Sequence, residues 1–152
     1  MILTVSFDKT TYAELPHKFE AGTPDIAGGV AFGTTVEYLL GLDLDAVAAY
    51  EAMLLEFTLE ALAEIPQVRF IGTARKRSSV ISFELEGVHP HDVGTILDKE
   101  GVAIRTGHHC TQPVMERFGV PATARASIAC YNTKEDILRL TDALHKAIEV
   151  FR

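Results

Sequence analysis

The sequence predicts an α+β fold, a small sheet with helices on one face, and three observations carry that reading. From residue 66 onward, strand-like runs and amphipathic stretches follow in the order strand, strand, helix, strand, helix, strand, helix. The first two strand-like runs are joined by a polar turn and make one hairpin. With 152 residues, 47% hydrophobic and 23% charged, the chain suffices for about one domain with its own core.

The elements follow in order. Ile2 to Phe7 alternates and reads as one strand without a hairpin mate close behind it; Asp8 to Ala21 has little periodicity and reads as loop. Thr23-Pro24 predicts a helix start, a capping hydroxyl with proline at the first helical position. That helix runs to about Leu40, with Ile26, Val30, Thr34 or Val36, and Leu39 or Leu40 inward, and Gly28, Gly29 and Gly33 suggest close approach of another backbone. Asp43 caps a stronger helix with an apolar stripe through Leu44, Val47, Ala48, Leu54, Leu55, Leu59 and Leu62, and Pro66 stops it.

Val68 to Ile71 and Val80 to Leu85 are strand-like, the second placing Ile81, Phe83 and Leu85 on one side. His89-Pro90 opens a third helix, with Val93, Ile96 and Leu97 inward and Gly101 as its C-cap. Val102 to Arg105 is a short strand, Pro113 to Phe118 a short helix, and Arg125 to Ala129 another strand. Thr133 caps the last helix, acidic in its first turn at Glu135 and Asp136, with Ile137, Leu140, Leu144, Ile148 and Phe151 as its core face.

The net charge of -7 argues against nucleic acid as main partner, because phosphate contacts need clustered Lys and Arg. Arg75-Lys76-Arg77 reads as a solvated turn. No apolar run approaches the roughly 18 residues of a membrane span, and no signal peptide is visible. Two cysteines are too few for a secreted disulfide scaffold, so a reducing cytoplasm is the expected compartment.

The densest chemistry lies in Arg105-Thr106-Gly107-His108-His109-Cys110. The thiolate is the reactive form of cysteine, and cationic neighbours favour it. Read from the residues alone, Cys110 stays open between a reactive thiol and a small core hydrophobe. Cys130, at the end of the apolar run Ile128-Ala129-Cys130, reads as structural. Zinc is disfavoured, because adjacent His108, His109 and Cys110 do not converge on one metal and His89 and His91 would have to join them through tertiary geometry. A Cys-His hydrolase would need an orienting Asn or Asp that the spacing does not identify. Arg125, among small residues in Ala124-Arg125-Ala126-Ser127, is either a carboxylate fork or a surface ion pair. Thr23 is either a plain N-cap or an anion contact at a helix N-terminus.

Together, five segments resemble the C-terminal part of the PLP-dependent class V cysteine desulfurases of the SufS/CsdA type, a group that includes selenocysteine lyases. They are Leu15 to Pro24 (LPHKFEAGTP), Gly87 to Val93 (GVHPHDV), Arg105 to Cys110 (RTGHHC), Pro121 to Ser127 (PATARAS) and Tyr131-Asn132-Thr133. They stand in the family's order and cover nearly the whole chain; each alone would be weak, the combination is specific. The resemblance implies a small, mostly antiparallel sheet covered by helices. It implies that Cys110 attacks the sulfur of a cysteine–PLP adduct and becomes a persulfide, with His108 and His109 in support. Arg125 would hold the substrate carboxylate, Arg105 would orient substrate or the cysteine loop, and Thr23 would touch the phosphate of a PLP held by the partner subunit of a homodimer. The short cysteine loop implies weak activity until a sulfur-acceptor protein of the SufE/SufU type docks, with L-cysteine as substrate and Fe–S cluster assembly as destination.

The family's Schiff-base lysine follows a Ser-x-His, and none of Lys9, Lys18, Lys76, Lys99, Lys134 and Lys146 does. The electron sink for C–S cleavage is therefore not in this sequence. Residues 1–24 are expected to be a remnant of the PLP-binding large domain, and 25–152 the small domain. The isolated chain is expected to be inactive and to bind no PLP covalently. The alternative is a stand-alone sulfur carrier or acceptor-docking module.

Overall fold

A computed structural model describes residues 1–151, which divide into two compact units, Met1–Asp43 and residues 44–151.

In the first unit, β1 (Ile2–Val5) pairs antiparallel with β2 (Thr10–Tyr12). Ser6 N–H donates to the Lys9 carbonyl at 3.0 Å and closes the turn. The hairpin mate that the sequence appeared to lack is this three-residue strand; its polar, β-branched Thr10 and Thr11 show no apolar alternation. A single 3₁₀ turn spans His17–Phe19.

Helix α1 covers Ile26–Leu40. Its cap is Asp25, not Thr23: the Asp25 carboxylate accepts from Gly28 N–H at 2.9 Å. Aspartate is the stronger cap of the two, and it moves the helix start past the proline. Gly28 serves this cap, because a Cβ there would stand 2.1 Å from Asp25 Oδ2. Among the described residues nothing comes within 4 Å of a Cβ placed at Gly29 or Gly33, so they do not supply the expected backbone contact. α1 buries none of its residues; Ile26, Val30, Val36, Leu39 and Leu40, expected inward, are exposed. Within this unit no second layer faces them.

The second unit holds the core. Its elements are α2 (Leu44–Ala63), β3 (Val68–Ile71), β4 (Val80–Leu85), α3 (Pro90–Lys99), β5 (Arg105–Gly107), α4 (Gln112–Phe118), β6 (Thr123–Ser127) and α5 (Lys134–Val150). The sheet order is β3-β4-β6-β5, every neighbour antiparallel. This is the predicted α+β architecture, with element order as read.

Side-chain period two sets the two faces of the sheet. Ile81, Phe83 and Leu85 of β4 and Ala124 and Ala126 of β6 are buried in one continuous core with Leu54 and Leu62 of α2, Val93 and Leu97 of α3, and Leu140 and Leu144 of α5. The stripe of α2 is therefore only partly used, since Leu44 is exposed. On α5, Ile137, Leu140, Leu144 and Ile148 are buried as expected, whereas Phe151 at the C-cap is 49% exposed. Thr133 closes a full capping box with Asp136. Helix α3 lies close on the sheet: a Cβ at Gly94 would stand 2.9 Å from Thr106 Cγ2.

His89 caps α3 by accepting from His91 N–H at 3.2 Å, so the His89 ring is accounted for by the helix start. Gly101 follows α3 with φ of +76°, and Val102 N–H returns to the Leu97 carbonyl at 2.9 Å.

Candidate functional site

The other face of the sheet is built from charge. Across it, Ile71 opposes Ser82, Ser82 opposes Arg125, and Arg125 opposes Arg105. Residues directly opposite in an antiparallel pair share a face. Two arginines thus stand side by side on β5 and β6, a like-charge pairing that costs stability. Arg125 is half-buried and Arg105 exposed, and neither has an acidic partner in an ion pair among the described residues. Arg69 and Glu84, by contrast, pair at 2.6 Å on the neighbouring strands. Unneutralised guanidinium groups in register form a cradle for an anion, and their planar forks suit a carboxylate.

Beside this pair the chain leaves β5 through Gly107, whose φ of +126° is open only to glycine. His108 is exposed. His109 and Cys110 then adopt φ of +52° and +58°, the non-glycine residues with positive φ among those described. Each left-handed residue costs about 1–2 kcal/mol, and such strain gathers at functional sites. Thr111 closes the turn twice, its N–H and its hydroxyl both donating to the His108 carbonyl at 2.8 Å. Its hydroxyl is thereby spent, and α4 begins without a side-chain cap.

The His109 ring turns inward. Nε2 lies 3.2 Å from the Thr123 carbonyl and 3.0 Å from its hydroxyl. A carbonyl only accepts, so Nε2 carries the proton and the neutral ring leaves Nδ1 bare. Burial holds the His109 pKa below the ordinary histidine range; the charges of Arg125, Arg105 and His108 act the same way, against the hydrogen bond to Thr123. Nδ1 of His109 and Nε of Arg125 are both buried without a hydrogen-bond partner. A small apolar cluster of Ile71, Met115 and Val120 is buried on its own, apart from the main core.

Cys110 is exposed, and so is Cys130. Cys130, read from the sequence as structural, is therefore not a core residue: β6 ends at Ser127 and the chain has already left the sheet. Arg105, His109 and Arg125 are brought together by the β5–β6 pairing and the turn that follows it, with Cys110 next to His109 in that turn. Thr23 is exposed in the first unit, two residues ahead of the Asp25 cap. Thr123 is not among the residues the sequence singles out, because the strand expected over Arg125 to Ala129 in fact spans Thr123–Ser127. The alternation Thr123-Ala124-Arg125-Ala126-Ser127 carried the signal.

No group of three or more His, Cys, Asp or Glu is gathered for a metal among the described residues. A cleft lined by Val102, Ile104, Ala126, Ile128, Asn132 and Asp136 contains neither cysteine nor either arginine of the pair. The residues here do not fit covalent PLP. In the second unit, Lys134 lies over Phe57 and Lys146 pairs with Glu100, Lys76 is in the hairpin turn, and Lys99 ends α3. None of these four lies on β5, on β6 or in the turn that follows β5.

Comparison with known proteins agrees with this geometry. Residues 1–140 match the family described as aminotransferase class-V. A probable cysteine desulfurase of Streptomyces coelicolor is 47% identical over 99% of this chain and 37% of its own length. A cysteine desulfurase of Synechococcus elongatus is 46% identical over 96% of this chain and 23% of its own. Among solved structures, the cysteine desulfurase CsdA of Escherichia coli superposes with a TM-score of 0.88 at 37% identity, covering all of this chain and 38% of that one. The chain thus spans between 23% and 38% of the length of these relatives, and it belongs to the class-V aminotransferase family.

Proposed function

We propose that this chain supplies the sulfur-accepting thiol and the substrate-carboxylate clamp of a cysteine desulfurase site. The observation that supports it most is the Arg105–Arg125 register pair, unneutralised, beside a strained turn that ends in an exposed cysteine. In this reading Arg125 takes the carboxylate of L-cysteine on its fork and Arg105 adds charge and orientation. Cys110 accepts the sulfur as a persulfide and passes it to an acceptor protein of the SufE/SufU type for Fe–S cluster assembly. A homodimer, with Thr23 touching the cofactor phosphate of the partner subunit, follows from the same reading, as does a cytoplasmic setting. No helix among the described residues is long and apolar enough to cross a membrane.

PLP, when bound in such enzymes, supplies the electron sink for C–S cleavage. None of the six lysines follows a Ser-x-His, so in this reading the PLP chemistry is supplied by residues other than these. The chain alone is expected to take up no PLP that borohydride can fix to a lysine.

Co-expression with the PLP-binding portion of a relative, followed by mass spectrometry after incubation with L-cysteine, tests the reading. A gain of about 32 Da on Cys110, lost in Cys110→Ser and in Arg125→Leu, is the expected result. Sulfur release that persists in Cys110→Ser refutes it. A second reading, a carrier without catalysis, draws on the exposure of Cys110. It predicts the same mass gain when a complete desulfurase is the donor and Arg125→Leu has no effect.

A further inference from the structure

Thr58 and Thr123 are the buried polar residues among those described, each with no exposed surface. Thr58 is satisfied within its own helix, its hydroxyl donating to the Leu54 carbonyl at 2.7 Å. Thr123 is used differently. Its carbonyl and its hydroxyl both meet the His109 ring, 14 residues away in sequence. It stands where the β5–β6 ladder ends, opposite Gly107. Just past that point come the two consecutive left-handed residues, His109 and Cys110.

We propose that His109 is a positioning residue for Cys110: by clasping Thr123, its imidazole holds the backbone of residues 109 and 110 in the left-handed conformation that presents the thiol. The inference rests on the reading of Cys110 as the sulfur-accepting group. Histidine visits this conformation more readily than most residues and cysteine does not, yet for both it remains the less favourable one, and two in succession call for support from outside the turn. The doubled Thr111 contact to the His108 carbonyl closes the turn from the far side. The Thr123 clasp fixes the near side to the sheet that carries Arg125. Without the clasp, residues 109 and 110 relax toward ordinary backbone geometry, and the direction in which the thiol is presented changes.

The test uses the full chain with three substitutions: His109→Leu, which removes the donor; His109→Gln, whose amide N–H reaches a similar place; and Thr123→Val, which removes one of two acceptors. Backbone NMR shifts and couplings at residues 109 and 110 report the left-handed geometry directly. Alkylation by iodoacetamide is followed at Cys110 and Cys130 in the same sample, and the second exposed cysteine cancels global unfolding from the ratio. Expected in His109→Leu are loss of the left-handed signature at both residues and a fall in the Cys110 to Cys130 ratio of about threefold or more. His109→Gln restores both, and Thr123→Val falls between. A His109→Leu protein that keeps the signature and the ratio overturns the proposal.

Glutathione persulfide as sulfur donor separates this from the sulfur-transfer reading. The Cys110 thiolate attacks the outer sulfur, a new S–S bond forms, the donor's S–S bond breaks, and glutathione leaves with the electron pair. Wild-type chain that takes up no sulfur removes the sulfur reading while the NMR result still judges the clasp.

Discussion

The two faces of the four-stranded sheet are made by one backbone and obey opposite rules. On the helix-covered face, Ile81, Phe83, Leu85, Ala124 and Ala126 are all buried in one apolar core. On the other, Ser82, Arg125 and Arg105 stand in a row, two like charges abreast, next to a turn with two non-glycine residues at positive φ. The first face stabilises the fold; the second spends some of that stability on the placement of charge. Removing a side chain from the first should lower stability, and removing one of the two arginines from the second should lower function alone.

The largest expected effect is on the core face. Phe83→Ala, at a fully buried position, should cost about 3–5 kcal/mol in chemical denaturation, with the relative reactivity of the two cysteines unchanged while the protein stays folded. Gly94→Ala forces a Cβ against Thr106 and should cost about 1–3 kcal/mol, read from the same curves. Thr133→Ala opens the capping box of α5 and should cost about 1 kcal/mol. Arg105→Gln should invert the sign. Relief of the like-charge pair stabilises by about 0.2–1 kcal/mol, while sulfur transfer from L-cysteine falls. An Arg105→Gln protein that is clearly less stable would break the distinction between the faces.

The smallest effect is a pH dependence. The His109 pKa is held down in the fold, so the unfolded chain binds more protons there and stability rises with pH. The contribution is complete above the unfolded value of about 6.5 and is lost as pH falls from there through the lowered folded value. His109→Gln should flatten that part of the stability–pH curve, measured by thermal melting in buffers spanning the range.

Much of this was legible in the sequence, for physical reasons. The alternation of β4 separated Ile81, Phe83 and Leu85 from the polar side, and that apolar side is the buried one. The α5 stripe and its Thr133 cap were equally plain. The Arg-Thr-Gly-His-His-Cys stretch and Arg125 pointed to the site, although only the strand register shows that Arg105 and Arg125 stand opposite one another. What was hidden was short or tertiary. Three-residue β2 has too few residues to show a period. Asp25 outcompeted Thr23 for the cap through a local hydrogen bond that composition does not rank. Thr123 reads as an unremarkable strand residue until the ring of His109 is folded onto it.

Strand order carries a further consequence. β5 and β3 are the outer strands, and an outer strand offers unpaired backbone groups on which a foreign strand can grow. β5 is three residues long and opens with Arg105; β3 has Arg69 at its second position. Brevity and a cation at each margin discourage edge-to-edge growth into aggregates. Arg105 thus guards a sheet edge with the same charge that makes it a candidate for substrate binding, and an apolar residue in its place would weaken both.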